Sequence, residues 1–189
     1  SYQVIAGRPN VEVLAALRSC DFIVDQLYSD TPLAGFATEA AWMGRCTVVA
    51  GYALKELEDH IPSDMVPPSI TCRPDELAET LTSLLENPRR FHEVGEQARL
   101  FVRDNWRSRV VAQRYLRLLR GNVPDDWWTD PFRVTYMNGM GMSDRRLAAV
   151  VDNLISLEGV NSLKLEGRPD LLRCLLKKVT VHSDKRLDT

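Results

Sequence analysis

Two short, unbroken runs constrain this chain most: Phe22-Ile23-Val24 and Cys46-Thr47-Val48-Val49-Ala50. Neither alternates apolar with polar residues, so strands built from them need cover on both faces. Tyr2–Ala6 reads as a further short strand. Ser69–Cys72 reads as one more, its start limited by Pro67-Pro68. Between these runs the spacing turns helical. Val11, Val13, Leu14 and Leu17 recur after Asn10, which suits a cap. Phe36–Met43 is compact and rich in alanine, and Gly44 supplies a stop. Strands alternating with helices across short links predict an α/β fold, a Rossmann-like parallel sheet covered by helices.

Beyond the last strand, helices dominate. Pro74-Asp75-Glu76 opens one that carries Leu77, Leu81, Leu84 and Leu85, and Pro88 starts the next, with Phe91, Val94, Ala98 and Phe101 on one side. Asn105 is the expected cap of a third. Four strands are fewer than the five or six usual in a doubly wound sheet, so one or two βα units are expected upstream of Ser1. The reading therefore divides the chain into a partial Rossmann-like domain at 1–120 and a tail at 121–189. The tail opens as a linker with Trp127 and Trp128, continues through Gly139-Met140-Gly141, and ends in a small α or α+β extension. Helices are expected at Asp144–Leu157, capped by Ser143, and at Pro169–Lys178. Small strands are expected at Leu163–Leu165 and Val179–Val181.

Charge and cysteine usage narrow the function classes. Residues 1–85 carry 5 basic and 12 acidic side chains, whereas residues 86–120 carry 9 basic and 4 acidic ones. The arginine-rich stretch suits a solvated helical surface, a phosphate-facing surface or peripheral contact with the inner face of a membrane. With an acidic remainder and no reading-head motif, nucleic acid is not an expected partner. Cys20, Cys46, Cys72 and Cys174 form no C-x-x-C pair, and the 3 histidines do not cluster with them, so reduced thiols, a cytoplasmic setting and no metal are expected. The glycine fingerprint of dinucleotide sites, the Walker phosphate loop and the nucleophile elbow are all absent.

In open α/β sheets the ligand crevice lies beyond the carboxyl ends of the strands. The loop after Phe22–Val24, holding Asp25, Gln26, Tyr28, Ser29, Asp30 and Thr31, is therefore the prime site. Gly35 then begins a helix whose first-turn amides, at Phe36, Ala37 and Thr38, can hold diphosphate oxygens. Glu39 has the reach to accept two hydrogen bonds from a vicinal diol such as ribose. Equally, it can be an early-helix glutamate favoured by the dipole.

Cys20–Leu27, Gly35–Glu39, Ala40–Arg45 and Cys46–Ala50 together resemble the donor-binding segment of retaining glycosyltransferases of the GT-B fold. The similarity runs on through Pro67–Cys72 and the closing helices to Leu119, and upstream to Tyr2–Ala6, so it covers residues 1–120. The resemblance implies that Glu39 holds the donor ribose and that the backbone at Gly35, Phe36 and Ala37 lies near the donor diphosphate. It implies no bound cofactor or metal, a nucleoside-diphosphate sugar as donor and a glycan, lipid-linked or protein acceptor. An N-terminal domain would hold that acceptor. Where the family has a second glutamate eight residues before the first, this chain has Thr31, with Asp30 beside it. Gly35 stands four residues before Glu39 instead of five, and Cys46 replaces the usual proline. Those departures leave a second expectation standing: a GT-B-like structural or interaction protein without turnover.

Overall fold

The computed structural model describes residues 2–128, 130 and 142–184. Residue 129 and residues 131–141, Gly139-Met140-Gly141 among them, lie outside these. The chain has an α/β fold: a three-stranded parallel sheet wrapped by helices, in a generic Rossmann-like arrangement. Its strands are β1 (Phe22–Val24), β2 (Cys46–Ala50) and β3 (Ile70–Cys72), paired in the order β1-β2-β3. Phe22 stands opposite Cys46, and Val48 opposite Ile70.

Period-two alternation sends neighbouring residues to opposite faces, and both faces are covered. Ile23 packs with Leu17 of α1 (Asn10–Ser19) and Ala40 of α2 (Gly35–Trp42). On the other face Cys46, Val48 and Ile70 pack with Leu84 of α3 (Leu77–Glu86) and Phe91 of α4 (Pro88–Asn105). β2 is buried along its whole length, which explains its unbroken apolar composition. The Phe91 ring lies 5.5 Å from that of Phe22. α2 also packs on α4 through Ala37, Ala41, Ala98 and Phe101. α5 (Ser108–Leu119) follows, and Arg117 stacks over Trp127 at 5.3 Å while Trp128 stays exposed.

Two glycines serve the packing. Gly44 takes a φ of 73° where α2 turns into β2, as its expected stop requires. Gly95, inside α4, lies so close to that turn that a Cβ there would stand 2.3 Å from the Gly44 carbonyl oxygen.

Several expectations need correction. Tyr2–Ala6 is not a strand. It pairs with no strand among the described residues, and Tyr2 and Val4 are exposed, since apolar composition cannot replace a ladder partner. Leu163–Leu165 and Val179–Val181 are not strands either. Leu163 ends a 3-10 turn at Val160–Leu163, and Val179 lies inside α7 (Pro169–Asp184). Residues 142–184 hold two α-helices and a 3-10 turn and no strand, with Leu147 and Val151 of α6 (Asp144–Glu158) packed on Leu175 of α7. Ser143 does cap α6, accepting from the Arg146 amide at 3.3 Å. Asn10 and Asn105 cap nothing. Pro9 and Arg107 hold the capping positions of α1 and α5, Asn105 is the last residue of α4, and Asn10 is already helical.

Candidate functional site

The loop after β1 begins as a continuation of the ladder. The Asp25 amide donates to the Val48 carbonyl at 3.0 Å, the Ala50 amide to Gln26 at 2.8 Å and the Ser29 amide to Ala50 at 2.8 Å. Ser29 is buried; its hydroxyl donates to the Thr31 carbonyl at 2.7 Å and accepts from the Thr31 amide at 3.1 Å. This serine is therefore a brace for the loop. Asp30 is exposed and Thr31 half-buried at the loop's crest.

Ala34 then precedes α2 with no side-chain cap. The helix's first bond runs from the Thr38 amide to the Ala34 carbonyl at 2.8 Å, and the Thr38 hydroxyl joins the same oxygen at 2.9 Å. Thr38 is thus removed from the expected set of free donors. The amides that precede the first intrahelical bond belong to Gly35, Phe36 and Ala37. Gly35 is exposed, and a Cβ there would meet nothing within 4 Å, so no protein atom demands its glycine.

Glu39, one turn further, is half-buried, and its Oε1 accepts from Asn10 Nδ2 at 3.2 Å. That bond joins α2 to the first turn of α1. It explains Asn10 better than the capping role does. Ala37 is fully buried, which removes its amide from the expected donors, so the arrangement offers the amides of exposed Gly35 and half-buried Phe36 at the positive end of a helix dipole and, one turn on, a carboxylate with accepting capacity left over. Such a set can hold an anion together with an adjacent diol.

Asp25 is the unsatisfied group of the region. Its Oδ2 is shielded from solvent and finds no hydrogen-bond partner among the described residues. Burial pushes its carboxyl above the usual aspartate range. A carboxyl raised in the folded state adds stability below its unfolded pKa and loses it as the pH rises through its folded value. Ionised Asp25 therefore works against the fold from about pH 4 upward. Asp25→Asn is expected to flatten that decline and to raise the melting temperature at neutral pH, read from thermal melts of both proteins between about pH 4 and 8.

Other sequence candidates are passive. Burial pushes the Cys46 thiol up to about 12, and also raises Cys20 and Cys72, which makes them poor nucleophiles. Among the described residues no three His, Cys, Asp or Glu side chains gather as a metal site, and no helix is long and apolar enough to cross a membrane. A cavity of about 290 Å³ lies between Pro32, Leu54, Leu57, Pro67 and Ser69, next to the crest but apart from Gly35–Glu39.

The sequence reading missed two contributors. Tyr52 follows β2 and Arg73 follows β3, so both stand at the same strand ends as the β1 loop. The rule that singled out that loop applied equally to the other two. Comparison of the chain with protein-family models, with curated proteins and with solved structures returns no match.

Proposed function

We propose that residues 1–120 form the donor-nucleotide side of a nucleotide-sugar-dependent glycosyltransferase of the GT-B type. The observation that carries this reading is the opening of α2: uncapped amides at Gly35 and Phe36 with the Glu39 carboxylate one turn away. In this reading those amides take the donor diphosphate, Glu39 takes the ribose hydroxyls, and Asp30 and Thr31 face the sugar. Stabilising the departing diphosphate is the main catalytic contribution. The acceptor, a glycan, lipid-linked or protein group, sits on an N-terminal domain, and the arginines of α4 and α5 are available for an anionic membrane surface.

Topology supports the same reading. In the doubly wound order 3-2-1-4-5-6, strands four, five and six are successive neighbours and strand three lies at the far edge. The order β1-β2-β3 fits strands four to six. Thr31 favours one alternative, a GT-B-like protein that binds without transferring, because it brings no carboxylate to the sugar side.

Calorimetry with UDP and GDP tests the proposal. Binding of one of them is expected, and Glu39→Ala is expected to weaken it by roughly 10-fold or more, the value of one or two hydrogen bonds to a charged group. Equal affinity of the variant and the parent chain for the bound nucleotide sinks the reading.

A further inference from the structure

Three loops at the carboxyl ends of β1, β2 and β3 bring together Tyr28, Tyr52 and Arg73. The two phenol rings stack with centroids 6.3 Å apart and planes inclined by 28°. The Arg73 guanidinium lies over the Tyr52 ring at 5.4 Å, inside the range of cation–π attraction. Its ion pair with Asp75 is 3.4 Å long and solvent-exposed at both ends, so that pair contributes little to holding it. Tyr28 ends the stack and is 60% exposed. An exposed tyrosine ordered by a second ring and a cation is a ready contact surface for a ligand ring.

We propose that this platform seats a pyranose ring on Tyr28. The inference rests on the donor-nucleotide reading of α2. Glu39 bonds to Asn10 of α1, and α1 packs with α2 and with β1, the strand at one edge of the sheet. The nucleoside end of a ligand whose phosphates meet Gly35 and Phe36 therefore points toward α1. The opposite end points toward the loops after β2 and β3, where the stack stands. The group carried there is the sugar. Its axial C–H bonds present a weakly positive, apolar face, complementary to the negative face of a phenol ring. The neighbouring phenolic hydroxyl of Tyr52 can donate to or accept from its hydroxyl groups.

The test titrates the chain and its Tyr28→Ala and Tyr28→Phe variants with UDP, UDP-glucose, GDP and GDP-mannose by calorimetry, and with methyl α-glucoside by saturation-transfer NMR. One nucleotide sugar is expected to bind about 2–10-fold tighter than its nucleotide. Tyr28→Ala should erase that gain without changing nucleotide affinity, and Tyr28→Phe should retain it. A loss confined to the nucleotide sugar assigns the ring to the donor; a loss confined to the glucoside assigns it to the acceptor. A gain that survives Tyr28→Ala, with glucoside contacts unchanged, overturns the proposal. So does an equal loss for nucleotide and nucleotide sugar, which places a nucleobase on the ring. The parent reading fails separately, through a Glu39→Ala variant that still binds nucleotide normally. If no nucleotide binds at all, glucoside contacts abolished by Tyr28→Ala sustain the platform alone, and absent contacts overturn it too.

Discussion

Gly95→Ala is expected to lose several kcal/mol of stability, at or beyond the upper end of the roughly 1–3 kcal/mol usual for overpacking. Two effects oppose each other at this position. Alanine favours a helix interior over glycine by about 1 kcal/mol, and taken alone it would stabilise α4. The new Cβ, however, would stand 2.3 Å from the Gly44 carbonyl oxygen and 2.9 Å from the Cys46 amide nitrogen. Both are backbone atoms, and both belong to the turn that delivers β2 into the sheet. Neither can swing aside as a side chain would. α4 must move away from α2, opening the contact between Ala37, Ala41, Ala98 and Phe101. Steric cost therefore wins. Against a total of about 5–15 kcal/mol, the variant should melt far earlier in urea. Gly35→Ala is the matched control: its Cβ meets nothing within 4 Å, and its stability should change by no more than about 0.5 kcal/mol. Equal midpoints for Gly95→Ala and the parent would show that the helix does not touch the turn.

Phe91→Ala is expected to cost about 3–5 kcal/mol, with a matching fall in the urea midpoint. The ring is buried between α3, α4 and the sheet, against Cys46, Val48, Ile70 and Leu84. Its removal leaves a void bounded by strand backbone on one side, which cannot collapse. The loss of its tilted partnership with Phe22 adds to that. Phe91→Leu keeps most of the volume and should lose less than half as much. Since Phe91 lies on the face opposite α1 and α2, nucleotide affinity of the folded fraction should not change. A drop in both stability and affinity would mean that the two faces of the sheet are coupled.

The sequence made the strands of the sheet legible and the apolar runs outside it misleading. Phe22–Val24 and Cys46–Ala50 were readable because a strand enclosed on both faces leaves no polar position. Tyr2–Ala6 has similar composition, but a strand is a relation between two segments, and one segment's residues cannot report whether the other is present. Val179–Val181 misled in the opposite sense: β-branched residues favour strands only weakly, and in α7 the packing of Leu175 and Val179 overrides that preference. Of the candidate site, Gly35–Ala37 and Glu39 stand together at the start of α2, because chain-adjacent residues on one helix turn need no long-range knowledge to be placed. Asn10, Tyr52 and Arg73 reach their positions through contacts across 20 residues or more, and local spacing carries no trace of those. Gly95 is the extreme case. Within its helix it looks like a blemish, and only the Gly44 turn gives it a purpose.

The strictly successive strand order has a consequence for synthesis. Each strand pairs with the one made immediately before it, across 24 residues from Phe22 to Cys46 and 22 from Val48 to Ile70. A chain leaving the ribosome can add these strands one by one, with no half-built sheet waiting for a distant partner. The exception is α4, which must return to the Gly44 turn and to both sheet-facing layers. Until residue 95 has emerged, the nascent sheet lacks its latch, and a pause just upstream would expose β2 on one face.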